Sequence, residues 1–274
     1  MDSRRIRLID VFPYNGDPIV EMRLSEVYPF VDEIIVIEML QTFTGIQKDA
    51  FFIDAHAHVF DPYRDKIHFI RVDHIPDTPD MAWTKTRAGT FMAGSMAWWR
   101  ENYQRECVLR RLREIDGPYV AIMSDADEIP NVERIVQRVD DIASRDTIVR
   151  LEMAMFNYSF RWMKPRPWYH AFVLSDKAVA KAMDDRGIDY LRCFGVTDAV
   201  IERGGWHCSN FMDAHDIQKK IASFAHTEFD MPDYRSLDHI RACMATGKDL
   251  FDRGEDEDAV PRPPDVPLPR SVDS

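Results

Sequence analysis

The run DEIIVIE (Asp32–Glu38) leaves a folded chain few choices. A strand sends successive side chains to opposite faces, so an unbroken apolar run has no side to turn toward water. Such a strand must be covered on both faces, as in a parallel sheet flanked by helices. Neighbouring segments repeat the theme. IRLIDVF (Ile6–Phe12), KIHFIRV and YVAIMS read as further strands. Between them lie helical patterns: DPIVEMRLSEVYPF, with apolar Ile19, Met22, Val27 and Phe30 among charges, a long stretch from about Ser95 to Ile115, and a helix from about Val132 to Asp141. This alternation predicts an α/β fold with a mostly parallel central sheet and helices on both faces. The rhythm then changes. TIVRLEMAMFNYSFRW, WYHAFVLS and DAVIERGGW read as strands with little helix between them, which predicts a mixed or antiparallel extension of the same sheet. DAHDIQKKIASFAH and roughly Ser236 to Thr246 return to helical patterns. One domain over residues 1–251 accounts for all of this. Residues 252–274 hold five of the sixteen prolines and seven acids against three arginines, too little apolar surface to fold alone, and are expected to be a disordered or draped tail.

The formal net charge of −12 argues against broad electrostatic binding to nucleic acid or an anionic membrane. No apolar run reaches the length of a membrane span, and MDSRRIRLID lacks a signal-peptide core. The four cysteines, Cys107, Cys193, Cys208 and Cys243, are far apart and form no C-x-x-C pair, which disfavours a structural zinc site. A cytoplasmic protein with reduced thiols is the expectation.

Chemistry enters at PYVAIMSDADEIP (Pro118–Pro130), where a strand-like run ends in Asp125, Asp127 and Glu128. Open parallel sheets bind ligands beyond the carboxyl ends of their strands, so these acids fall at the mouth of such a crevice. Hard cations such as Mg²⁺ and Mn²⁺ favour carboxylate oxygens, and an ion held by D-x-D can bridge a substrate diphosphate. The alternative is local: Asp127 or Asn131 capping a following helix, with Pro130 in its first turn. A rival centre lies in FIDAHAHVFDP (Phe52–Pro62), where His56 and His58 resemble the H-x-H opening of metal-dependent amidohydrolases. Such an enzyme needs a closed barrel of eight βα units, for which the later strands are poorly arranged.

Four ordered stretches resemble glycosyltransferase family 17, enzymes similar to the β-1,4-mannosyl-glycoprotein β-1,4-N-acetylglucosaminyltransferase. They are DVFPYNGD with EMRLSEVYPFVDEIIVIEMLQTFTG, WWRENYQRECV, SDADEIP and GGWHCSNFMDAHDIQKKIASFAHTEFD. The resemblance implies a GT-A-type nucleotide-sugar fold, a UDP-sugar donor with UDP-GlcNAc foremost, inversion at the anomeric carbon and Mn²⁺ or Mg²⁺. It implies Asp125 and Asp127 as metal and diphosphate ligands, with His207 of G-W-H-x-S as a third ligand and His226 as the alternate. Asp10 and Glu38, at the ends of the first two strands, are candidates for uracil and ribose. Glu101, Gln104 and Arg105 share a helix and are candidates to buttress the D-x-D loop, and Lys220 to neutralise the departing diphosphate. Tyr158, Trp162, Trp168 and Trp206 offer aromatic faces to a glycan or lipid-linked sugar acceptor. Glu228 is the first candidate for general base and Asp213 the second. A hydrolase centred on His56 and His58 and a non-catalytic sugar-binding relative are the alternatives.

Overall fold

The computed structural model describes residues 5–75, 95–184, 191–193, 197 and 199–272; Asp198, at the start of one predicted strand, and the last two tail residues lie outside them. The protein is a mixed α/β fold on a ten-stranded sheet. Strands β1 (Arg7–Pro13), β2 (Glu33–Met39), β3 (Ile67–Val72) and β4 (Tyr119–Met123) are parallel, in the spatial order β4-β1-β2-β3. The two-sided burial expected of Asp32–Glu38 is met by alternation. Ile34 and Val36 enter one core with Leu8, Phe12, Val120 and Ile122. Ile35 and Ile37 enter the opposite core with Ile9, Val11, Ala121 and Met123.

Helix α1 (Val20–Val27) covers the first face through Val20, Leu24 and Val27, joined by the short helices α2 (Phe52–Ala55) and α3 (Ala57–Phe60). The long helix α4 (Met96–Arg113) covers the second face with Trp99, Val108, Leu109 and Leu112. The helix expected from Val132 to Asp141 is two pieces, α5 (Val132–Val136) and α6 (Val139–Ser144). It breaks at Arg138, whose φ of −122° leaves the helical range and whose guanidinium reaches the Val200 carbonyl.

The antiparallel extension is present. β8 (Phe172–Ser175) joins β4 to β6 (Val149–Asn157), and β7 (Ser159–Met163) follows β6. The stretch TIVRLEMAMFNYSFRW is thus a hairpin, reversed at Tyr158. That residue takes φ of 65° because its N–H donates to Ser209 and its hydroxyl to the Lys248 carbonyl. Helix α7 (Asp176–Asp184) follows β8. β9 (Val200–Ser209) runs parallel to β6 and antiparallel to the three-residue strand β5 (Glu128–Pro130). Helices α8 (Ala214–Ser223) and α9 (Leu237–Thr246) close the fold against each other. Among the described residues, no helix is long and apolar enough to cross a membrane.

Residues 252–272 lie against the body. β10 (Val260–Pro261) pairs with β7, and Val266 and Leu268 pack on a cluster of Ile19, Ile129, Phe156, Trp206 and Cys208. Arg270 and the Ser271 N–H bind Glu26 on α1.

One charged pair sits in the core. Arg23 of α1 and Asp10 of β1 are fully buried and meet through two hydrogen bonds, at 2.6 and 3.0 Å. The same guanidinium donates to the carbonyls of Asp125 and Glu128 and to the Ser124 hydroxyl. Asp10 is therefore in mid-strand, enclosed by its arginine, and not a strand-end group facing a nucleotide. Asp10→Asn leaves the guanidinium buried and unpaired, and is expected to cost about 3–5 kcal/mol of stability. The half-exposed Asp54–Arg71 pair is the control, where Asp54→Asn costs at most about 1 kcal/mol. Urea midpoints measure both.

Candidate active site

The predicted acids occupy a turn between two strands, so neither Asp127 nor Asn131 caps a helix with its side chain, and Pro130 lies in β5. The Glu128 N–H closes the turn on the Asp125 carbonyl at 3.0 Å. Pairing of β5 with β9 sets Glu128 opposite His207, and the Cys208 N–H donates to the Asp127 carbonyl at 2.7 Å. Glycine makes this approach feasible. A Cβ on Gly205 would stand 2.3 Å from the Ile129 carbonyl oxygen, inside any permitted contact. The pair of glycines before Trp206 and His207 is the packing condition that brings His207 to the acids.

The two aspartates of D-x-D face different partners. Asp125 is held by Arg105 at 2.9 Å and by Arg192 at 2.6 Å. Arg105 in turn pairs with Glu101 one helical turn back, so these two brace the loop, whereas Gln104 donates to the Ile37 carbonyl of β2 at 3.5 Å. Glu128, wholly buried, accepts from Arg192 with both oxygens, from Trp168 Nε1 and from the Asp125 N–H. Burial alone would raise its pKa, but the Arg192 guanidinium outweighs that and holds it at about 2. A small cavity of about 20 Å³ opens on this side, between the end of β1, Arg105, Asp125 and Arg192, with room for about one water.

Asp127 faces the other way. Its Oδ2 lies 3.1 Å from Lys220 Nζ and its Oδ1 lies 3.6 Å from His207 Nε2. Lys220 also approaches Asp17, in the loop after β1, at 3.6 Å. Burial alone would raise the Asp127 pKa, yet Lys220 and His207 hold it well below the carboxylate range. The two carboxylates in turn keep Lys220 protonated despite its own burial. Asp17, deeper and beside a second acid, is shifted upward.

Other expected residues fall elsewhere. Glu38 is fully buried and binds Lys48 and the N–H groups of Phe52 and Ile53, so it fixes the loop after β2 and presents no free oxygen to a nucleotide. Tyr158 and Trp162 belong to the core beneath α8 and α9, with the Trp162 indole N–H bound to the Met244 carbonyl. Trp206 is buried, and its indole N–H is bound to the Pro267 carbonyl of the tail. None of these three offers a face to an acceptor. Asp213 caps α8, accepting on Oδ1 from the N–H groups of Asp216 and His215, which lower its pKa. His226 bonds Glu228 at 2.7 Å and packs edge-on against Trp98, with no contact to Asp125 or Asp127. His56 bonds the Tyr14 hydroxyl at 2.7 Å and stacks on Phe52. The sheet around it is open, not a barrel, which removes the amidohydrolase arrangement. Arg192 and Asp17 were not singled out, although Asp17 closes the stretch DVFPYNGD. Glu128 was named with the two aspartates, as the third acid after the strand-like run.

Asp127 and His207 fit a divalent cation in donor chemistry, carboxylate oxygen with imidazole nitrogen. His207 is buried, and its Nδ1 has no hydrogen-bond partner. Asp125, bound on both oxygens by arginines, does not converge on the same point. Among the described residues no three His, Cys, Asp or Glu side chains gather closely enough to hold an ion as they stand. An ion on Asp127 and His207 would therefore take its other ligands from substrate phosphate and water, as Mg²⁺ commonly does.

The model of glycosyltransferase family 17 matches residues 2–257, nearly the whole chain. The chain belongs to that family and is a glycosyltransferase. No curated protein matches it. Among solved structures it is similar to a protein from Bacillus anthracis assigned as a glucose-1-phosphate thymidylyltransferase, in complex with a sucrose. That match has 12% identity, a TM-score of 0.35, and coverage of 74% of this chain and 88% of that one. A likeness at that level supports no further conclusion.

Glu128 carries a pH prediction. Its folded pKa lies below its ordinary value of 4.5, so its contribution to stability is complete above that value and is lost as pH falls toward about 2. Glu128→Gln is expected to be clearly less stable than wild type at about pH 7 and to approach it at about pH 3. Denaturant midpoints at the two pH values check this.

Proposed function

We propose that this glycosyltransferase is a metal-assisted, inverting enzyme of GT-A type that moves N-acetylglucosamine from UDP-GlcNAc to a sugar acceptor. The family match, together with an acid turn at the carboxyl end of a parallel strand, carries the reading. The diphosphate of the donor would lie over that turn, beside Asp127, His207 and Lys220. A Mn²⁺ or Mg²⁺ ion held by Asp127 and His207 supplies a counter-charge for the departing nucleoside diphosphate.

The protein's own groups divide the remaining work. Lys220 neutralises phosphate oxygens. Arg105 and Arg192 hold Asp125 and Glu128, so the turn keeps its shape while charge moves past it. Glu228, exposed and bonded to His226, takes the proton of the acceptor hydroxyl as that oxygen bonds to the anomeric carbon and the bond to phosphate breaks. The acceptor is a glycan or a lipid-linked sugar, met from the solvent side of Glu228.

Calorimetric titration of UDP and UDP-GlcNAc, with Mn²⁺ and then with EDTA, tests the donor site. Binding is expected with metal only, to vanish in Asp127→Ala and to persist in His56→Ala. Folded wild type that binds neither nucleotide in Mn²⁺ would overturn the reading. Glu228→Gln is expected to bind donor normally while losing about 10²–10⁴ in transfer rate, measured as UDP release over an acceptor panel.

A further inference from the structure

The ammonium group of Lys220 occupies an unusual position. It stands 3.1 Å from Asp127 Oδ2 and 3.6 Å from Asp17 Oδ2. Asp17 is nearly inaccessible, its Oδ1 taken by the Ile19 N–H, so Oδ2 is the oxygen left to face the lysine. The other oxygen of Asp127 faces His207, a buried ring with an unpartnered Nδ1. Two carboxylates of the kind that bind hard divalent ions thus border a place filled by one protein cation, with His207 on the far oxygen of Asp127. Across the turn, Asp125 has both oxygens bound by arginines and cannot supply the second acid.

We propose that Lys220 is a resident counter-ion of the Asp17–Asp127 pair, exchanged for a divalent cation when the donor diphosphate arrives, with Asp17 as the second acid of that cation site. The proposal rests on the metal-assisted reading above. Its logic is formal charge. Two carboxylates and one ammonium leave a single negative charge. Adding a divalent ion while the lysine stays makes the set net positive, so the two cations repel at contact distance. A diphosphate removes the conflict by giving the ammonium somewhere to go. The lysine has the reach for that move: its backbone sits in the last turn of α8, beside the buried Ile221, and its four-carbon stem is long and flexible. Metal and UDP should then bind with positive coupling, and that coupling is reciprocal by linkage.

The test measures Mn²⁺ binding by the electron paramagnetic resonance of the free ion, with and without UDP, on wild type, Lys220→Met, Lys220→Gln, Asp17→Asn and Asp125→Asn. Without UDP, both lysine variants are expected to bind Mn²⁺ about tenfold or more tightly than wild type. UDP should tighten Mn²⁺ binding in wild type far more than in either variant. Asp17→Asn should weaken Mn²⁺ binding in the presence of UDP about tenfold, and Asp125→Asn should change it little. Thermal melting in EDTA and in Mn²⁺ guards against misfolding: the lysine variants should melt lower than wild type in EDTA and recover more on adding Mn²⁺. Lysine variants that bind Mn²⁺ no better than wild type, with UDP coupling intact, would overturn the exchange and leave the metal site standing. Loss of binding in Asp125→Asn but not in Asp17→Asn would overturn the choice of acid. No Mn²⁺ binding to folded wild type, with or without UDP, would overturn the metal reading itself.

Discussion

The buried pair of Arg23 and Asp10 is the contact on which the site's geometry depends. Burying a guanidinium is tolerable only when its donors are met, and here they are met by two segments at once: β1 through Asp10, and the acid turn through the hydroxyl of Ser124 and the carbonyls of Asp125 and Glu128. One side chain from α1 therefore locks the turn to the middle of the sheet. Arg192 holds the same turn by its carboxylates. A loop gripped through its backbone by one arginine and through its side chains by another can present charge without reorganising, the condition for electrostatic catalysis.

That grip gives the two aspartates separate tasks. Asp125 belongs to the arginine side and keeps the turn's shape. Asp127 belongs to the side of His207, Lys220 and Asp17. The division follows from strand pairing, because β5 turns away from β4 to run against β9, and Gly205 lets the two backbones approach. The tail reinforces this pairing from behind. Val266 and Leu268 cover the cluster that contains Ile129, Trp206 and Cys208, the neighbours of Glu128 and His207. The family model stops at residue 257, so this brace lies beyond the matched region.

Much of the fold was legible because apolar runs with no polar side have few possible environments. Asp32–Glu38, Ile6–Phe12 and Tyr119–Met123 became central parallel strands for that reason. The strand β5 was missed, since three residues carry no periodicity, and its partner lies far along the chain. Asp10 and Arg23 were misjudged or overlooked singly. Each is one charge within an apolar pattern, and only together do they signal a buried pair. Tyr158, Trp162 and Trp206 show the limit of aromatic content as a guide: each ring is in the core with its polar atom bonded to a distant carbonyl, which no local pattern reveals. Asp213 is a helix cap, legible from its place before α8. His207 came from its motif, and the structure supplies the reason, a register that sets β9 beside the acids.

The most direct test of the account is a crystal structure of the protein with UDP and Mn²⁺, with anomalous scattering collected at the manganese edge. One ion is expected on Asp127 and His207 with Asp17 as the second acid, Lys220 turned from Asp127 toward a phosphate oxygen, and Asp125 still held by Arg105 and Arg192. An ion seated on Asp125 with its arginines displaced, or a bound nucleotide with no ion and Lys220 unmoved, would contradict it.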